Sequence, residues 1–254
     1  MSTVIYPSPI FGPVHSRRLG ISLGINLLPT DGKVCSFDCI YCECGFNADR
    51  RPHQKMPTRE AVRTALEAKL EEMHREGVHP DVLTFAGNGE PTMHPDFPAI
   101  IADTRELRDR LCPDAKISVL TNGTMIVRPA VHDALLLVDN NIVKLDTVDE
   151  AFINLVDRPQ GHYDVQAIID AMKAFRGHCI IQTMFLTGPG LDNTTGQYVG
   201  PWLQAVASIR PQQVMIYTID RETPDTTLAK AAPATLDAIA ERVKALGIEC
   251  SVAY

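Results

Sequence analysis

Four of the chain's seven cysteines fall within one short stretch, KVCSFDCIYCECGFN, at Cys35, Cys39, Cys42 and Cys44. Thiolate is a soft ligand suited to iron–sulfur clusters or zinc. Three thiolates spaced Cys-x3-Cys-x2-Cys can take three corners of a cubane cluster and leave its fourth iron open. A structural zinc site wants four ligands in a closed tetrahedron, usually from two separated Cys-x2-Cys pairs. No second such pair occurs, although zinc stays open as an alternative. Cys112, Cys179 and Cys250 stand alone in apolar settings, where a free cysteine behaves as a small hydrophobe. Cys44 has three readings: a structural neighbour, a thiol facing substrate or a second metal, or a fourth ligand of the resting cluster. Only Glu43 separates it from Cys42, which strains two ligands on different irons of one cluster.

The chain has 254 residues, 45% hydrophobic and 22% charged, with a formal net charge of −7. The expected organisation is one domain over 1–254, with an N-terminal segment and first strand at 1–30, the cysteine loop at 31–56, and the remaining β/α units at 57–254. No apolar run approaches the roughly 18 residues that span a bilayer. The start MSTVIYPSPIFGP lacks the charged and apolar regions of a signal peptide. The expected location is therefore the cytoplasm, where clustered thiols stay reduced and more often hold metal than form disulfides. The negative charge gives no basic footprint for nucleic acid. Arg17-Arg18, and Arg50-Arg51 with His53 and Lys55, form local basic clusters that read equally as solvated loops.

The elements that must position these groups alternate between strand and helix. Strands are expected at Ile21–Leu28, Val82–Ala86, Ile117–Leu120, Ile142–Leu145, Ile180–Leu186, Val214–Thr218 and Ile248–Val252. Apolar stripes at helical spacing run from Val62 to Met73 behind a Thr58 N-cap, from Phe97 to Leu111, from Val165 to Phe175, and from Leu236 to Val243 behind Pro233. Weaker helical patterns cover Ala130–Val138 and Gly200–Ile209. This rhythm means βαβ units and a parallel sheet. The expected fold is α/β, a partial (β/α)6-type open TIM barrel, with a doubly wound sheet as runner-up.

In both architectures the working residues lie just past the C-terminal ends of strands. Asn88 and Glu90, Thr121 and Asn122, and Asp146 fall there. Period-2 alternation puts Lys144 and Asp146 on one strand face, and Gln182 on the face of Ile180 and Met184. A charge or amide inside an apolar strand must find a partner or line a cavity. Lys144 and Asp146 are thus candidate catalytic groups or a purely structural pair.

The triad with Tyr41 before its third cysteine, GNGEP at Gly87–Pro91, and VLTNGT at Val119–Thr124 together resemble the radical S-adenosylmethionine (SAM) superfamily. FGPVHSRRLGISLGINLLP, CSFDCIYCECG, GNGEPT, TNGT and QTMFLTG resemble more narrowly its stand-alone branch related to the tRNA wyosine synthases. Two departures stand out: no cysteine precedes Cys35, and no flavodoxin-like domain fits within these residues. The resemblance implies a 4Fe-4S cluster on Cys35, Cys39 and Cys42, with SAM on the open iron. It implies SAM contacts from Asn88 and the Gly89–Glu90 peptide, from Asn122 to the ribose, from the Tyr41 backbone near adenine, and from Gln182. It also implies a reductant such as flavodoxin or ferredoxin, and an oxidoreductase, lyase or transferase with an unidentified substrate, tRNA being one candidate. Two further candidates precede or follow the core motif: Arg158, as a clamp for a carboxylate or phosphate, and His15, reaching the cysteine loop with Arg17 and Arg18.

Overall fold

The computed structural model describes residues 4–16, 20–49 and 51–254, so Arg17, Arg18 and Arg50 lie outside the described residues. In chain order the strands are β1 (Ile10–Ser16), β2 (Gly20–Ile25), β3 (Val82–Phe85), β4 (Lys116–Thr121), β5 (Asn140–Lys144), β6 (Ile180–Met184), β7 (Leu186–Gly188), β8 (Leu191–Asp192), β9 (Gln213–Tyr217), β10 (Ala229–Lys230) and β11 (Glu249–Ala253). The helices are α1 (Arg59–Arg75), α2 (Phe97–Leu111), α3 (Pro129–Leu135), the single turn α4 (Glu150–Phe152), α5 (Val165–Ala174), α6 (Gly196–Ile209) and α7 (Pro233–Lys244).

The main sheet has the order β1-β2-β3-β4-β5-β6-β9-β11. From β2 onward every pairing is parallel and follows the chain without reversal. A doubly wound sheet needs a reversal of strand order, so this order defines a singly wound, open (β/α) barrel. Only β1 departs, pairing antiparallel with β2 at the edge. Its Gly12-Pro13 step hides the strand pattern in the sequence and coincides with a register shift between Phe11 and Val14. Proline is tolerated there because an edge strand has one unpaired side. The hairpin carries His15 to a pairing with Ile21, at the N-terminal end of β2. That is the far end from the cysteine loop, so the expected reach of His15 toward that loop is corrected.

Alternation divides the sheet's two faces. Leu23, Ile25, Leu83, Phe85, Val119, Val143, Ile181 and Val214 pack outward against helix residues such as Leu66, Ile100, Met172 and Val206 in one core. The inner face is layered. Ser22 with Thr84 and Ser118 with Asn140 hydrogen-bond at the lower end, both at 2.8 Å. Above them Leu120, Ile142, Ile180 and Met215 form an apolar layer. Lys144 and Gln182 pair in register directly above Ile142 and Ile180. The polar groups expected inside these strands therefore do face the barrel interior.

A small antiparallel sheet, β10-β7-β8, lies past the ends of β6 and β9. Asn193 ties it down: its Oδ1 accepts from Leu186 N at 2.9 Å, and its Nδ2 donates to the carbonyls of Met184 (2.8 Å) and Asp146 (3.3 Å). Trp202 of α6 fastens the same region from outside. Its Nε1 donates to the Leu145 carbonyl at 2.9 Å, and its ring meets Phe185 edge-on at 5.4 Å. Trp202→Ala is expected to cost about 3–5 kcal/mol. Trp202→Phe is expected to cost about 1 kcal/mol, because Thr183 Oγ1 still donates to the Leu145 carbonyl. Urea unfolding of the two variants measures both.

Candidate active site at the barrel mouth

The loop carrying the cysteines has no regular secondary structure, so its backbone must find partners elsewhere. One side pairs with the GNGE turn after β3. Val34 N donates to the Asn88 carbonyl at 2.9 Å, and Glu90 N donates to the Val34 carbonyl at 3.0 Å. Gly89 permits this approach: its φ is +135°, and a Cβ there would lie 1.9 Å from the Val34 carbonyl oxygen. The other side pairs with a π-helical turn, Ile153–Asp157, that follows α4. Asp38 N donates to the Asp157 carbonyl and Ile40 N to the Val156 carbonyl, both at 2.9 Å. Gln160 N closes the ladder on the Ser36 carbonyl at 2.8 Å.

Asn88 and Glu90 brace this frame through their side chains. The Asn88 amide is fully buried and satisfied: Nδ2 donates to the carbonyls of Tyr6 (2.9 Å) and Pro29 (2.8 Å), and Oδ1 accepts from Tyr6 N (2.8 Å). Glu90 Oε1 accepts from Thr92 N (3.0 Å), Thr92 Oγ1 (2.5 Å) and Thr121 Oγ1 (2.7 Å). Its Oε2 accepts from Asn122 N at 2.6 Å. Burial pushes the Glu90 carboxyl up, while these bonds hold its charged form. Asn122 reaches across the mouth. Its Nδ2 donates to Ser36 Oγ at 2.9 Å and to Cys35 Sγ at 3.5 Å, and its Oδ1 accepts from Thr124.

The three thiols of the triad lie close enough to influence one another's charge. Cys35 Sγ also accepts from Phe37 N at 3.5 Å. Burial drives Cys35 up to about 12 and Cys39 well above the usual thiol range. Cys42 goes the other way, down to about 6. A hydrogen bond from Cys44 is the largest cause, and the Lys33 ammonium helps against the penalty of burial. Cys44 is buried beside Cys42, its Sγ 3.5 Å from the Gly87 carbonyl, as a structural neighbour would be. Lys33 is itself buried, donating to the Gly45 carbonyl at 2.9 Å and lying 3.4 Å from Asp38 Oδ1. Among the described residues no three His, Cys, Asp or Glu side chains converge on a point that one ion would occupy.

A second lysine, largely buried, influences the charge of Cys39. The Lys144 ammonium contacts Tyr41 Oη and Asp146 Oδ2, and lies 2.9 Å from Asp157 Oδ1. Tyr41 Oη also donates to Asp146 Oδ2, and Asp146 Oδ1 accepts from Met184 N at 2.9 Å. The Lys144–Asp157 contact is an ion pair, poorly aligned for a hydrogen bond. Burial opposes the Lys144 charge, but Asp146 and Asp157 outweigh it and hold the lysine protonated. Lys144 is thereby surrounded by three oxygen partners. Gln182, its neighbour in register, differs: its amide has no hydrogen bond among the described residues, and it faces the lumen half-buried.

Sequence reasoning located Cys35, Cys39, Cys42, Tyr41, Gly89, Asn122, Lys144, Asp146 and Gln182 at one mouth. It singled out Arg158, and not its neighbour Asp157, which joins the Lys144 network. Arg158 is exposed in a left-handed conformation, capping the Leu155 carbonyl at 3.2 Å and stacking over Phe46. It passed over Lys33, whose only signal is a lone cation two residues before the first cysteine.

The Radical SAM superfamily model matches residues 30–198, most of the chain, and the chain belongs to that superfamily. Its members use a 4Fe-4S cluster and SAM. Among curated proteins it is 35% identical over 181 residues to UPF0026 protein MJ1312 of Methanocaldococcus jannaschii, covering 69% of this chain and 53% of that one. It is 30% identical over 219 residues to a UPF0026 protein of Helicobacter pylori, covering 85% and 67%. The chain thus spans between half and two thirds of the length of these two relatives. Among solved structures, a radical SAM methyltransferase from Sphaerobacter thermophilus superposes with a TM-score of 0.67 at 14% identity, covering 92% of this chain and 66% of that one. Streptococcus suis SuiB bound to SAM gives 0.63 at 16% identity, covering 88% and 49%. These likenesses show the fold and single out no substrate. No described helix is long and apolar enough to cross a membrane.

Two outcomes follow from this geometry. Gly89→Ala is expected to break the Val34 pairing and abolish iron uptake while leaving the far-ultraviolet circular dichroism intact. In metal-free protein, Cys42 is expected to alkylate first, with a rate that rises between about pH 5 and pH 7 as its thiolate forms. Peptide mass spectrometry after brief iodoacetamide treatment reads which thiol reacts.

Proposed function

We propose that the chain is a radical SAM enzyme in which Cys35, Cys39 and Cys42 hold the 4Fe-4S cluster. The observation that carries this reading is a single loop bearing all three cysteines that is backbone-paired to the GNGE turn at the barrel mouth. The donor set fits a cubane better than a single ion. Each thiolate of a cubane binds its own iron, so the three need not converge on one point. N–H donors from Phe37 and Asn122 aimed at Cys35 suit a sulfur that carries negative charge.

When bound, the cluster and SAM supply reductive cleavage to a 5′-deoxyadenosyl radical, which abstracts hydrogen from a substrate. The protein's part is binding and orientation. The Gly89–Glu90 peptide, the Tyr41 backbone, Asn122 and Gln182 border the space for SAM. Asn88 and the Glu90 carboxylate act indirectly, since their polar atoms are used in bracing the turn. Lys144 and Asp146, expected as reacting groups, serve better as positioning residues, because their contacts hold Tyr41 and the Cys39 side of the loop. Gln182 is a lumen group with capacity left for a ligand. A low-potential reductant such as flavodoxin or ferredoxin would supply the electron. The net charge of −7 gives a tRNA substrate no support.

Anaerobic reconstitution followed by reduction in the presence of SAM tests the reading. The expected result is about four irons per chain and release of 5′-deoxyadenosine. Ala at Cys35, Cys39 or Cys42 should reduce that release to background, and Cys250→Ala should leave it unchanged. One zinc and no iron would end the proposal. Incubation with tRNA and nucleoside mass spectrometry should show no modified nucleoside.

A further inference from the structure

Lys33 sits in an unusual place for an ammonium. Its side chain is 2% exposed and lies under the cysteine loop. A buried ammonium needs partners for its donors. One is the Gly45 carbonyl at 2.9 Å, and a second is Asp38 Oδ1, longer at 3.4 Å. Both partners belong to the cysteine loop, and the Lys33 charge favours the thiolate of Cys42. The charges of Cys35 and Cys39 also favour the ammonium, so Lys33 lies within electrostatic reach of all three thiols. Asp38 is kept in place independently, because its Oδ1 accepts from Asn47 N at 2.7 Å. Asn47 Nδ2 in turn donates to the carbonyls of Cys35 and Phe37, both at 3.2 Å.

We propose that Lys33 is a fixed counter-charge for the cluster, a positioning residue that stabilises its reduced state and so sets its reduction potential. The proposal rests on the assignment of Cys35, Cys39 and Cys42 as cluster ligands. The physics is simple. Reduction adds one negative charge to a buried site that already carries three thiolates. A fixed positive charge buried under the loop that carries the thiolates lowers the energy of the reduced state more than that of the oxidised state, and does so strongly where water is excluded. Asp38 partly offsets that charge. The two residues should therefore move the potential in opposite directions, which a merely structural role would not do.

The test is a redox titration of reconstituted full-length protein, followed by electron paramagnetic resonance, with iron content measured on each sample. Lys33→Met keeps the length of the side chain and removes its charge. Its midpoint potential should be more negative than that of the unaltered protein. Lys33→Arg keeps the charge and should restore most of the shift. Asp38→Asn keeps the acceptor for Asn47 N and removes a negative charge, so its potential should become less negative. If Lys33→Met holds no iron while Lys33→Arg holds the full complement, Asp38→Asn carries the test, and a potential for it that is not less negative than that of the unaltered protein overturns the proposal. If both lose iron, the position supplies shape and not charge, and the proposal fails. Equal potentials for Lys33→Met and the unaltered protein would overturn it alone. Failure of the unaltered protein to take up iron would bring down the cysteine assignment, and Lys33 with it.

Discussion

The structure depends on one backbone pairing, between Val34 and the turn at Gly89. The cysteine loop is an irregular segment of about two dozen residues. Irregular backbone at a barrel mouth is held only if its polar groups are satisfied. Two hydrogen bonds join Val34 to Asn88 and Glu90, and they demand a carbonyl where any Cβ on residue 89 would sit. Everything else in the frame protects that contact. Asn88 ties the turn to the N-terminal segment, Glu90 ties it to β4, and Asn122 carries the connection on to Ser36 and Cys35.

Two lysines, Lys33 buried and Lys144 largely so, then act on the triad, Lys33 on Cys42 and Lys144 on Cys39. Buried ion pairs are poor sources of stability, because desolvation consumes most of their attraction. Their value here is geometric. Lys144 joins the end of β5, the π-turn carrying Asp157, and Tyr41 of the loop in a single network. A π-turn is an uncommon way to end a helix and often marks a functional site. In this chain it presents the carbonyls of Val156 and Asp157 to the loop while its last side chain meets Lys144.

Much of this was legible in the sequence because periodicity carries it. The seven parallel strands, the longer helices, and the inward face of Lys144 and Gln182 all follow from alternation and apolar stripes. The thiol spacing alone pointed to the mouth. What escaped has identifiable causes. β1 was hidden by Gly12-Pro13, which breaks any alternation. The π-turn has no period to detect. The hydrogen bonds of the Asn88 amide to Tyr6 and Pro29, and of the Glu90 carboxylate to Thr121 and Asn122, join segments distant in sequence and need the fold to be seen. Asp157 and Lys33 are single charges whose meaning lies in partners distant in sequence or in burial. His15 was misplaced because a hairpin reverses direction, which a linear reading of its nearness to the loop ignores.

The central claim is that the triad leaves one iron of its cluster available to SAM. Electron paramagnetic resonance of the reduced, reconstituted protein, recorded before and after adding SAM, addresses it directly. The account predicts a saturable change in the signal at one SAM per cluster, lost when Asn122 is replaced by a bulky residue that closes the mouth. A cluster spectrum that SAM leaves unaltered at any concentration would contradict it.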